Sequence, residues 1–188
     1  MEQCPLVMGV VAGPGGVAPA VRDGADILDL GRASGAFVRE VRHTNPGVPL
    51  AVDVAGGTPD LADLLYDTDG STERDLAALA AESGAAVVCS AGTAERMRAP
   101  AQVFISPGWR QDVGTLRRGR ELAEDWPVLL TVSHGDSGPD AIAAAALAAT
   151  AGVRIVRTDR VTETRRTVDM IASIAGTRQP ARVRRALA

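Results

Sequence analysis

Ala151-Gly152-Val153-Arg154-Ile155-Val156-Arg157-Thr158-Asp159-Arg160-Val161-Thr162-Glu163-Thr164 contains a strand, a turn and the start of a helix. Within it, Val153–Thr158 is largely apolar and β-branched with little alternation, as in a strand buried on both faces. Beyond the turn, Val168, Ile171 and Ile174 recur along one side of a helix expected over Thr162–Ala175. The same order repeats upstream. The runs Pro5–Val11, Ala25–Leu30, Pro49–Val54, Leu61–Asp67, Ala85–Ser90, Gln102–Ser106 and Val128–Ser133 are each followed by a turn and a more polar, helix-favouring stretch. With Val153–Thr158 they make eight candidate strands in parallel βα units.

The remaining helices differ in quality. Ser71–Ser83 opens on two capping residues, Ser71 and Thr72, and carries Leu76 and Leu79 at core spacing. Val113–Trp126 is amphipathic. Asp140–Ala151 follows Pro139 and is nearly all alanine, so without a polar face it belongs in the core or in an interface. Three connections are thin: Gly13–Asp23, Ala55–Asp60 and Gly92–Ala99. Eight strands in this length leave about 21 residues per unit, against roughly 31 in an average (β/α)8 barrel. A barrel here is therefore compact, with some outer helices shortened or missing. The alternative is an open doubly wound sheet.

The chain has 188 residues, 46% apolar and 23% charged, with a net charge of -3. These values suit one globular domain, assigned to residues 1–176, with a basic tail over 177–188. The longest apolar run, Ala141–Ala149, is about half the roughly 20 residues a membrane helix needs, so no membrane partner is expected. The amino-terminal residues lack the order of a secretory signal, and a cytoplasmic location is expected. Cys4 and Cys89 have no metal-site or disulfide spacing. All 20 basic residues are arginine, which removes Schiff-base chemistry. Residues 151–188 carry a net charge of +6, but no aromatic residue lies among them to stack on bases, so no nucleic-acid partner is expected.

Read in order, these segments resemble the dihydropteroate synthase family, (β/α)8 barrels that join a pterin pyrophosphate to p-aminobenzoate. Asp23-Gly24-Ala25-Asp26-Ile27-Leu28-Asp29-Leu30-Gly31 is similar to the family's GADIIDIGG segment, and Val48-Pro49-Leu50-Ala51-Val52-Asp53 to its VPVSVDT strand. Ala62-Asp63-Leu64-Leu65-Tyr66-Asp67 resembles ADIINDVSG, Ser106-Pro107-Gly108 resembles DPG, and the quoted opening stretch resembles AGAxIVRVHDVxET. The resemblance implies a dihydropteroate synthase-like TIM barrel.

It also implies a set of ligand positions. Asp53 matches the family's third-strand carboxylate, and Arg157 matches its anion-binding arginine. Elsewhere the chain departs from the pattern. Tyr66 stands where the family has asparagine, Ser106 where it has the sixth-strand carboxylate, Gly135 where it has lysine, Ala12 where it has the first-strand asparagine, and Asp159 where it has histidine. The two loops that complete the p-aminobenzoate site are replaced by Gly13-Pro14-Gly15-Gly16 and Arg32-Ala33-Ser34-Gly35-Ala36-Phe37. Each hydrogen bond lost at a site built around it costs about 1–3 kcal/mol. Losing four or five removes most of a micromolar binding energy, about 8 kcal/mol.

The candidate ligand-binding residues are Asp53, Arg157, Tyr66, Asp67, Ser106, His134 and Asp159, all at or just past strand ends, where a barrel gathers its site. Aspartates there also serve as turn caps, and Arg157 could equally be half of an ion pair. Ser133, His134 and Asp136 lie too close in sequence to align as a triad. Gly13-Pro14-Gly15-Gly16 lacks the remainder of a P-loop and reads as a turn. Trp109 would sit over the mouth, stacking on a flat ring or closing the mouth as an apolar lid. If Tyr66 fills the mouth, no ligand fits there.

The expected function is a dihydropteroate synthase-like protein with a degenerate pterin site, a non-catalytic binding or partner protein linked to folate or pterin metabolism. Two alternatives remain: an active transferase of that type with a rebuilt site, and a structural subunit of a hetero-oligomer. The partners considered are a pterin or other flat small molecule, a second copy, or a full-length homologue meeting this chain through residues 140–151 and 162–175. The sequence points to no particular cofactor, and Mg2+ enters if a pyrophosphate ligand binds.

Overall fold

The computed structural model describes residues 4–59, 61–70, 73–97, 102–110, 112–132 and 138–178. Eight parallel strands are found: β1 (Leu6–Val10), β2 (Ile27–Asp29), β3 (Leu50–Asp53), β4 (Leu64–Tyr66), β5 (Ala86–Cys89), β6 (Val103–Ile105), β7 (Leu129–Thr131) and β8 (Ile155–Thr158). They are ordered β6-β5-β4-β3-β2-β1-β8-β7. An isolated parallel bridge between Ile105 and Val128 joins the two ends, and the Ile105 N–H donates to the Pro127 carbonyl at 2.9 Å. The sheet thus curls into a nearly closed barrel, and the open doubly wound alternative is not adopted.

Seven helices surround it among the described residues: α1 (Pro14–Arg22), α2 (Gly35–Thr44), α3 (Glu73–Ser83), α4 (Ala91–Arg96), α5 (Val113–Leu122), α6 (Gly138–Thr150) and α7 (Val161–Ile174). The stretch Gly13–Asp23 is thin but almost wholly helical. Pro14 starts α1 because its missing N–H costs nothing in a first turn. The sequence Gly13-Pro14-Gly15-Gly16 is therefore a helix start rather than a free turn. Between β3 and β4 no helix is found among the described residues, so this is the unit that has been stripped. The β4 run also begins later than expected, at Leu64. Leu61 holds a φ of 74°, which no strand tolerates, and Ala62 and Asp63 belong to the entry turn.

Local signals explain the helix ends. Ser34 caps α2 by accepting the Phe37 N–H at 3.4 Å, and Asp112 caps α5 by accepting that of Thr115 at 2.7 Å. The Asp112 carboxyl is held below its usual range chiefly by that backbone hydrogen bond. Gly84 and Gly152, with φ of 73° and 76°, turn the chain out of α3 and α6 in the left-handed region that glycine enters without strain. Among the described residues no helix is long and apolar enough to cross a membrane.

Two apolar layers follow from the alternation of side chains along each strand. Outward residues such as Val7, Leu28, Val52, Leu65, Val87, Leu130 and Val156 pack under the helices. Inward residues Met8, Ile27, Ala51, Leu64, Tyr66, Val88, Phe104, Leu129 and Ile155 fill the barrel. In α6, Ala141, Ala144, Ala145 and Ala148 are buried, whereas Ile142 and Leu147 are exposed.

Candidate functional site

The inward parity that places Ile27 and Ala51 in the barrel also carries Asp29, Asp53, Tyr66 and Arg157 to its carboxyl-terminal end. Register confirms this: Asp53 lies beside Tyr66, and Arg157 lies beside Met8 and Thr131. Asp53 and Arg157, far apart in sequence, therefore share one rim.

Asp29 is the centre of the arrangement. It is fully buried, and its carboxylate accepts the Tyr66 hydroxyl at 2.5 Å, the Arg157 Nε–H at 2.7 Å and the Gly31 N–H at 3.0 Å. Tyr66 is 1% exposed and occupies the mouth from within. Its ring meets Trp109 at 5.0 Å between centroids, tilted by 41°. The Arg157 guanidinium lies 5.9 Å from the Tyr66 ring and 5.6 Å from that of Trp109, within cation–π range of both. Burial, followed by the Asp29 charge and its hydrogen bond, pushes the Tyr66 phenol well above its ordinary range. Burial opposes the Arg157 charge, but Asp29 and Tyr66 together more than offset this, so its pKa is raised. The phenol stays a donor and the guanidinium stays a cation.

A second cluster closes the adjoining rim. Asp53, 3% exposed, accepts from Thr68 Oγ1 at 2.5 Å, the Ala55 N–H at 3.1 Å and Arg32 Nε at 3.2 Å. Arg32 also pairs with Asp69 at 2.6 Å. The hydrogen bonds it donates to Asp69 and then to Asp53 raise its pKa.

The other expected site residues fare differently. Asp67 is buried, and its carboxylate accepts the N–H groups of Asp69 and Gly70, which shapes its own turn. Ser106 exchanges hydrogen bonds with the Gly108 backbone at 3.2 and 3.3 Å. Asp159 is exposed. His134 lies outside the described residues, as do Ser133, Gly135 and Asp136. Sequence reasoning misses Asp29, Arg32 and Thr68 as site residues. Asp29 could have been found from its parity with Ile27, since an acid on an inward strand position must be paired. Arg32 and Thr68 leave no such signal.

The paired state of both carboxylates limits the chemistry. Neither Asp29 nor Asp53 is a free base. Among the described residues no group of three or more His, Cys, Asp or Glu is arranged to hold a metal ion.

No protein-family model matches the chain. The curated protein named inactive dihydropteroate synthase 2 of Mycobacterium leprae is 28% identical over 250 residues, covering 90% of this chain and 84% of that protein. Its namesake in Mycobacterium tuberculosis is 27% identical over 249 residues, covering 90% and 77%. Both alignments are longer than this 188-residue chain, so the relatives carry insertions that it lacks. The solved structure of Mycobacterium tuberculosis Rv1207 superposes with a TM-score of 0.73 at 29% identity, covering 94% of each chain. Dihydropteroate synthase of Thermus thermophilus, in complex with 4-aminobenzoate, superposes with a TM-score of 0.75 at 22% identity, covering 93% of this chain and 96% of that one, which speaks for the fold alone. Strand order, ordered sequence resemblance and these relatives agree in supporting a divergent member of the dihydropteroate synthase family.

Proposed function

We propose that this barrel is a non-catalytic dihydropteroate synthase-like protein of the cytoplasm that acts as a partner protein in folate or pterin metabolism rather than as a transferase. One observation carries the reading: the Asp29–Tyr66–Arg157 cluster, roofed by Trp109, occupies the mouth from within. A ligand entering there must break a buried ion pair, and separating such partners costs about 3–5 kcal/mol, a large share of micromolar binding. The inactive relatives support the same reading.

Calorimetry with hydroxymethyl-pterin pyrophosphate, followed by turnover with p-aminobenzoate, tests this. The expected outcome is no saturable heat and no product. Binding that is lost in both Asp53→Asn and Arg157→Ala would restore a pterin pocket, and turnover would overturn the proposal.

Partnership through α6 and α7 has its own support. Ile142, Leu147, Met170 and Ile174 are exposed on these two helices, and Leu147 borders a groove of 410 Å3 between α5 and α6. Exposed apolar side chains on these helices are of the kind a second copy or a full-length homologue covers. Sedimentation of the wild type as a dimer, and of Leu147→Arg with Ile174→Asp as a monomer, is the expected result.

A further inference from the structure

The Asp53 carboxylate is nearly dry, yet the cation that neutralises it is not. Arg32 is 48% exposed at its side chain, whereas Asp53 is 5% exposed. Three contacts hold the guanidinium: Asp53 through Nε, Thr68 Oγ1 through Nη2 at 3.3 Å, and Asp69 through Nη2 at 2.6 Å. Its alkyl stem lies along the loop after β3, since a Cβ on Gly56 would come within 3.1 Å of Arg32 Cδ. One side chain thus ties the loops after β2, β3 and β4.

The two ends of this tie are unequal. The inner end neutralises a carboxylate that Thr68 and the Ala55 N–H fix in place whether or not Arg32 is there. The outer end is a solvated pair with Asp69, itself 52% exposed, and such pairs hold weakly. If the guanidinium swings outward it loses little, while Asp53 is left charged, buried and short of a cation. A planar cation with paired N–H donors, an amidinium or guanidinium, is the chemical class that could replace it, because it matches carboxylate geometry.

We propose that Arg32 is a displaceable self-ligand: a latch that occupies the Asp53 carboxylate and yields it to an external amidinium-bearing cation. The proposal rests on the closed-mouth reading above, since it assigns one of the two closures to a single movable residue.

Benzamidine is the probe, followed by the backbone amide resonances of Ala55 and Thr68, whose N–H groups donate to Asp53. Wild type should bind weakly. Arg32→Ala should bind at least tenfold more tightly. Asp69→Asn, which loosens only the outer anchor, should fall between them, and Arg32→Ala with Asp53→Asn should lose the gain. The latch is overturned if folded Arg32→Ala binds no more tightly than wild type, if the double variant retains the gain, or if Asp69→Asn leaves affinity unchanged. Failure of the closed-mouth reading shows elsewhere, as pterin pyrophosphate binding or turnover by the wild type, so the two failures are distinguishable.

Discussion

Asp29→Asn replaces one carboxylate oxygen by an amide nitrogen and isolates one charge. The asparagine oxygen can still accept the Tyr66 hydroxyl and the Gly31 N–H, but its amide nitrogen then faces Arg157 Nε, donor against donor. Arg157 is 17% exposed at its side chain, too little for water to compensate. Breaking a buried pair by removing one partner costs about 3–5 kcal/mol. At about 2–4 °C per kcal/mol for a domain of this size, Tm should fall by roughly 6–20 °C. Urea and thermal unfolding followed by circular dichroism measure this directly. The matching control removes the whole polar set: Asp29→Leu, Arg157→Met and Tyr66→Phe together should recover at least half of the loss, because apolar replacements leave no buried charge unpaired. A loss below about 1 kcal/mol in Asp29→Asn, the worth of an exposed pair, would refute the reasoning. A triple variant less stable than Asp29→Asn would refute it as well.

Tyr66→Phe should cost about 1.5–3 kcal/mol, the worth of a hydrogen bond to a charged group. Because burial and Asp29 raise the phenol pKa, the native state keeps this proton after the unfolded chain begins to lose its own near pH 10, as unperturbed tyrosine does. The stabilisation is therefore full below about pH 10 and declines above it, so wild type and Tyr66→Phe should converge in alkaline unfolding curves. Parallel alkaline curves would contradict the assignment. Gly57→Ala should destabilise by about 1–3 kcal/mol, because the new Cβ would lie 2.6 Å from both the Asp53 carbonyl oxygen and Val52 Cγ1. An unchanged urea midpoint would show that the loop after β3 can shift freely.

The strands are the legible part of the fold. Short Val, Ile and Leu runs buried on both faces carry an unambiguous pattern, and each expected run contains the strand that forms. The helices are less so. Pro14–Arg22 holds two prolines and two glycines, a composition that argues against a helix until Pro14 is seen to sit in its first turn. Leu61 reads as strand from sequence because hydrophobicity says nothing about a positive φ. At the site, the resemblance locates Asp53 and Arg157 on the rim, but it cannot say that each already has a partner. Arg157 reaches Asp29 across 128 positions of sequence and Arg32 reaches Asp53 across 21, and such pairings are set by strand register rather than by any local motif.

Among the described residues seven ladders hold neighbouring strands together, while β6 and β7 share one bridge and one hydrogen bond to Pro127. Mechanically the molecule is a rolled ribbon fastened by a single stitch. Thermal breathing concentrates at the weakest fastening, so native-state amide exchange at Ile105 should outpace that of Val7 or Leu28, which sit in the middle of the ribbon. The interior beside that stitch, around Phe104 and Trp109, is then the first to be wetted when the ribbon uncurls.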